Sequence, residues 1–125
     1  MYNSPKPVRS ASMKIKYYHK KLIRDKIPEI IKKSGDYCEI MVLGKAAFEK
    51  ELKKKLLEES KELINAPKEK ILNELTDVLE ITKSIAAYYK IPFSRVEKSQ
   101  KIKRKQRGGF KKKLYLKWST RREGK

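Results

Sequence analysis

The 125-residue chain predicts a mainly α fold: an antiparallel helix hairpin, two shorter helices and a small two-stranded β element. Three observations carry that prediction. Apolar residues recur at helical spacing through two long segments, 45–65 and 68–90. Pro67 separates the segments, leaving a connection of about four residues that must turn the chain back on itself. Glycines at 35, 44 and 108–109 bound the shorter pieces on either side.

In chain order, residues 1–13 read as a flexible basic lead without the apolar core of a secretory signal. Met13 is an alternative start to Met1. In "KLIRDKIPEIIKKSGD", Asp25 is the expected N-cap of a short helix over 26–34, Pro28 falls in its first turn, and Gly35 stops it. "YCEIMVL", 37–43, is short, partly β-branched and bounded by glycines, so it reads as a strand. The two long helices follow, and Ile91-Pro92 breaks the second. A basic helix is expected over 93–106, stopped by Gly108-Gly109. "KKKLYLKW", 111–118, alternates at Leu114 and Leu116 and reads as the second strand. Residues 14–118 therefore form one domain, and 119–125 a disordered basic tail.

Charge is concentrated at the two ends. The net charge is +19, of which residues 1–26 hold +7 and residues 101–125 hold +11, leaving +1 for the 74 residues between. A polyanionic partner follows, with phosphate the commonest kind. Cys38 is the only cysteine, so an intramolecular disulfide and a cysteine-based zinc cluster are both excluded. No apolar run reaches the ~20 residues of a membrane helix, and a cytoplasmic setting is the default expectation.

The acids of the neutral middle are informative by their phase. On the 45–65 helix, Phe48, Leu52, Leu56 and Leu63 form one stripe, and Glu59 falls inside it between Leu56 and Leu63. Glu62 lies on its shoulder, while Glu58 points further round. On the next helix the expected apolar stripe is Ile71, Leu72, Leu75, Leu79, Thr82 and Ala86. Glu74 stands at its edge, with Asp77 one turn on. Ile81 and Tyr88 continue a second apolar side, so this helix is expected to pack on more than one side. In an antiparallel hairpin the two acidic pairs fall at matching levels. Four carboxylates facing one another suit a hard cation such as Mg²⁺, because an ionised carboxylate in an apolar stripe needs a compensating charge. The plain alternative is a solvated acidic face with i,i+4 ion pairs. Geometry alone leaves both open.

"LLEESKEL" followed by "NELTDVLE" resembles the EExxE…ExxD signature of the all-α nucleoside triphosphate pyrophosphohydrolases, the MazG-like group to which phosphoribosyl-ATP pyrophosphohydrolase belongs. The flanks "KLIRDKIPEIIKKSG" and "RGGFKKKLYL" look like the opening and closing motifs of one branch, so the resemblance spans about residues 17–117. It implies Mg²⁺-dependent (or Mn²⁺-dependent) cleavage of a nucleoside triphosphate between the α and β phosphates, giving the monophosphate and pyrophosphate. The implied metal ligands are Glu59, Glu62, Glu74 and Asp77. Glu58 would stand behind them or orient the attacking water, making Glu58 and Glu59 the candidate catalytic pair. Lys21, Arg24, Lys26, Arg107 and Lys111 are the candidate phosphate-binding residues, and a homodimer or higher oligomer is the implied assembly. Two features depart from the pattern: the interval between Glu62 and Glu74 is short, and the chain is unusually basic.

The rival reading is a basic RNA- or DNA-binding protein with a vestigial or absent catalytic site. "KSQKIKRKQRGGFKKK", 98–113, with Phe110 inside it, is suited to contacts with a phosphate backbone, although it lacks the aromatic interleaving of a single-strand platform. A third reading is a metal-binding structural protein without turnover. His19 reads as a surface or packing residue, and the tyrosines and Trp118 as packing groups more than as base-stacking ones.

Overall fold

The computed structural model describes residues 7–9 by their backbone and residues 15–124 in full. The chain forms two compact units, divided between Lys90 and Ile91. The architecture is mainly α, with a small β element.

That β element is not the expected one. Strands β1 (Pro7–Arg9) and β2 (Ile15–Tyr17) pair antiparallel, with Pro7 opposite Tyr17 and Arg9 opposite Ile15. Part of the stretch read as a flexible lead is therefore a strand. Residues 37–43 and 111–118 form no strand. Tyr37, Met41 and Val42 are largely exposed, as are Leu114, Tyr115 and Leu116. Strand propensity mostly measures packing on a half-buried surface, and neither segment has such a surface to pack on.

Helix α1 covers Ile27–Lys33, with Pro28 in its first turn. Its N-cap is Lys26 rather than Asp25, and no side chain caps it. The helix ends at Gly35, whose φ of 85° is favoured by glycine. The N–H groups of Gly35 and Asp36 there return to the carbonyls of Lys32 and Ile31 at 3.1 and 3.2 Å.

Helix α2 covers Lys45–Asn65, and α3 covers Ile71–Tyr88. Pro67 ends α2, as expected, but Lys68–Lys70 form a 3₁₀ turn, so α3 starts three residues later than its periodicity predicts. At the open end of the hairpin, Phe48 and Tyr88 meet edge to face with ring centroids 5.8 Å apart. The Tyr89 hydroxyl donates to Glu49 Oε2 at 2.9 Å, and the Tyr88 hydroxyl to the Lys45 carbonyl at 3.3 Å. These contacts tie the end of α3 to the start of α2. Tyr88 and Tyr89 thus serve packing, as expected of them.

Only four of the described residues are buried, and they lie on the hairpin: Leu52, Ala86, Glu59 and Glu74. Leu52 and Glu59 are one heptad apart, so Glu59 occupies the next seam position where a second leucine would suit a plain core. The α3 face differs from expectation. Glu74 is not at the edge of the packed face but on it, with Val78, Ile81 and Ile85 half-buried beside it. Leu72, Leu75 and Leu79, expected in the core, are exposed, Leu72 at 78%. A helix apolar on two sides has turned one of them to α2 and left the other open.

The second unit, Ile91–Lys125, contains helix α4 (Phe93–Arg107), which has no buried residue. Gly108 stops it with a φ of 82°. No helix among the described residues is long and apolar enough to cross a membrane.

Candidate metal centre

The hairpin brings three carboxylates to one point. An oxygen from each of Glu59, Glu62 and Glu74 lies within 4.8 Å of the other two. The cause is local. Glu59 and Glu62 are three residues apart on α2 and share a face, and the short turn at 66–70 carries α3 back at the level that sets Glu74 opposite them. Glu59 is 8% exposed and Glu74 is 5% exposed, whereas Glu62 is half-buried.

Two of the cluster's oxygens lack a partner. Oε2 of Glu59 and Oε2 of Glu74 are both buried without a hydrogen-bond partner. A buried acceptor without a donor costs about 1–3 kcal/mol, and more when it carries charge. Burial pushes the Glu59 carboxyl above the ordinary carboxylate range, and the charges of Glu62 and Asp77 push it further. Lys55 opposes that rise from 3.5 Å away. Three crowded carboxylates of this kind require either a shared proton or a cation. The donor set is all oxygen, with no nitrogen or sulfur, and could hold a hard divalent cation.

The remaining expected site residues divide. Asp77 is half-buried and close enough for its charge to raise Glu59, but it is not one of the three converging carboxylates. Its Oδ1 instead accepts from Arg24 Nη2 at 2.8 Å. Arg24 precedes α1, so this ion pair brings the first basic motif to the acidic end of α3. Glu58 stays outside the cluster, 3.9 Å from Lys55 Nζ. Lys21 is half-buried, and Lys26 is exposed. Arg107 ends α4 and Lys111 lies in the turn after it, both exposed and both in the second unit.

Lys55 is the participant that the sequence reading missed. Its signal was present, since it stands three residues before Glu58 and four before Glu59, the spacing at which helical ion pairs form. The Arg24–Asp77 pair had no such signal, because 53 residues separate its members.

Comparison of the chain with protein-family models, with curated proteins and with solved structures finds no match.

Proposed function

We propose that the chain is a divalent-cation-dependent nucleoside triphosphate pyrophosphohydrolase, as its resemblance to the MazG-like group suggests. One observation carries the reading: among the described residues, two of the four that are buried are glutamates, and those two converge with a third acid while each keeps an oxygen orphaned. A merely structural hairpin gains nothing from that arrangement. A plain leucine at position 59 would be more stable.

In this reading Glu59, Glu62 and Glu74 hold Mg²⁺, and Asp77 borders them as the fourth acid. Bound there, Mg²⁺ supplies neutralisation of phosphate charge and a water of lowered pKa. The protein's part is positioning. Arg24, already beside the carboxylates through Asp77, is the best-placed group to grip the triphosphate, with Lys21 and Lys26 in the same segment. Lys55 offsets the charge of Glu58 and Glu59. Glu58, outside the metal cluster, accepts the proton of the attacking water. The water oxygen bonds to phosphorus, the α–β anhydride P–O bond breaks, and the products are the nucleoside monophosphate and pyrophosphate.

Two subsidiary readings accompany it. A second copy of the chain covers the exposed leucines of α3, giving a homodimer or higher oligomer. A cytoplasmic setting fits the single free, exposed Cys38.

The test is release of pyrophosphate from a panel of canonical and modified nucleotides with Mg²⁺ or Mn²⁺. Turnover of at least one, lost in Glu59→Gln and Asp77→Asn with the helical content intact, supports the enzyme. No turnover of any, with either ion, leaves a binding protein with a vestigial site.

A further inference from the structure

The proposed reaction leaves the second unit largely without a task. Ile91–Lys125 holds 14 Lys/Arg and 2 acids, so it carries +12 of the chain's +19. A triphosphate does not require that many cations. Among the described residues, no Lys or Arg of 91–124 has a carboxylate partner. Helix α4 is charged on nearly all sides, and a helix polar all round needs a partner other than an apolar core.

Three of the four aromatic residues of the same unit are as exposed as its charges, and the fourth, Phe93, is half-buried. Phe110 is 98% exposed, Tyr115 84% and Trp118 79%. In the sequence they alternate with cations: Phe110, Lys111–Lys113, Tyr115, Lys117, Trp118, then Arg121 and Arg122. The basic stretch 98–113 taken alone holds a single aromatic, Phe110, and the interleaved stretch runs on from that residue. Large exposed aromatics are expensive in water, and a row of them between lysines is the composition that stacks bases while holding the backbone.

The turn after α4 gives this pattern a shape. The guanidinium of Arg104 lies against the backbone of Gly109, so closely that a Cβ there would sit 2.5 Å from Arg104 Nη1. Beside this contact lies a shallow groove lined by Gln100, Lys103, Arg104, Arg107, the Gly108-Gly109 pair and Phe110, with three cations along it and one open aromatic face.

We propose that Ile91–Lys125 is a binding arm for single-stranded nucleic acid, with Lys103, Arg104 and Arg107 holding phosphates and Phe110, Tyr115 and Trp118 stacking on bases. A strand of separated phosphates and unpaired bases matches both features together. A duplex offers phosphates without open bases, and an anionic membrane or a bare polyanion offers charge alone.

The experiment uses the full chain and fluorescently labelled 20-nucleotide oligo-U, oligo-dT and a mixed-sequence duplex, with inorganic polyphosphate and phosphatidylglycerol vesicles as competitors. The single strands are expected to bind with a steep salt dependence and to resist competition by either anion. Phe110→Ala, Tyr115→Ala and Trp118→Ala are each expected to weaken single-strand binding roughly fivefold while leaving the salt slope unchanged. All three side chains are exposed, so circular dichroism should be unaltered. The arm is disproved if the duplex binds as tightly as the single strands, if polyphosphate or vesicles displace them at equal charge, or if the triple variant binds like the parent. None of these outcomes depends on nucleotide turnover, so the arm and the pyrophosphohydrolase reading stand or fall separately.

Discussion

Arg24 Nη2 lies 2.8 Å from Asp77 Oδ1, joining the segment before the first helix to the acidic end of the third. In the proposed reading one residue is a cation for phosphate and the other an acid bordering the metal, and in this structure they satisfy each other.

That pairing makes a prediction with two opposite signs. Arg24→Ala removes the cation paired with Asp77 beside the cluster, so KM for the nucleotide should rise about tenfold. The same change frees Asp77, so Mg²⁺ should bind more tightly, by a few-fold. Isothermal titration with Mg²⁺ alone and steady-state kinetics would read the two effects separately. A purely structural ion pair would lower thermal stability and leave both constants where they were. The Arg24 side chain is 58% exposed, so its contribution to stability alone is small.

Glu59→Gln and Glu74→Gln should each stabilise the metal-free protein, by about 1 kcal/mol, because a neutral amide replaces a crowded buried carboxylate. Each should also abolish the rise in melting temperature that Mg²⁺ gives the parent. Glu58→Gln should keep the metal response and lose turnover by about 10²-fold, because its carboxylate lies outside the cluster. Thermal scans with and without Mg²⁺ would distinguish the three variants. A Glu58→Gln protein that no longer responds to Mg²⁺ would place Glu58 among the ligands.

Much of this was legible in the sequence, and the rest was not for identifiable reasons. Both ends of α2 fall where glycine and proline set them, and Glu59's phase alone marked it as out of place in an apolar stripe. Glu74 was harder. Helix α3 is apolar on two sides, and periodicity cannot say which side faces α2, so Leu72, Leu75 and Leu79 were assigned to a core they do not enter. The strands failed because residues 37–43 and 111–118 have strand composition but no surface to pair with. The ion pair between Arg24 and Asp77 depends on how α1's leading segment lies along α3, which no local pattern encodes.

The raised pKa of Glu59 fixes a pH dependence. Burial, Glu62 and Asp77 together lift its folded value above its unfolded one. A carboxyl shifted in that direction contributes stability that is complete below the unfolded pKa and is lost as pH rises through the folded pKa. Glu59's own contribution should therefore fall over that range, read as the stability of the parent minus that of Glu59→Gln, while Glu62, whose carboxyl is held below the ordinary range, contributes in the opposite sense. Mg²⁺ should reverse the trend, because it binds the ionised form and displaces the proton. Denaturant titrations of the parent and of Glu59→Gln across that range, with and without Mg²⁺, would show parent-minus-variant differences of opposite slope. A parent protein that behaves like Glu59→Gln in both series would mean that Glu59 ionises without strain.

The open side of α3 yields the last prediction. Leu72, Leu75 and Leu79 lie within two turns on one side of α3, and Leu57 and Ile64 of α2, seven residues apart, are exposed as well. A chain of this length ordinarily buries more apolar residues than the two, Leu52 and Ala86, that are buried among the described residues, so the core is expected to be completed by association. A second copy is the natural occupant, because an apolar stripe on a helix hairpin is complementary to itself about a two-fold axis. Leu75→Glu with Leu79→Glu should convert the assembly to monomers in sedimentation equilibrium. Turnover should fall with it, since the buried glutamates depend on a hairpin held rigid by what it packs against. The variant Leu114→Glu, exposed but outside this face, should leave the assembly intact. If the parent sediments as a monomer at all concentrations, the exposed leucines serve some other partner and the site must be rigid without one.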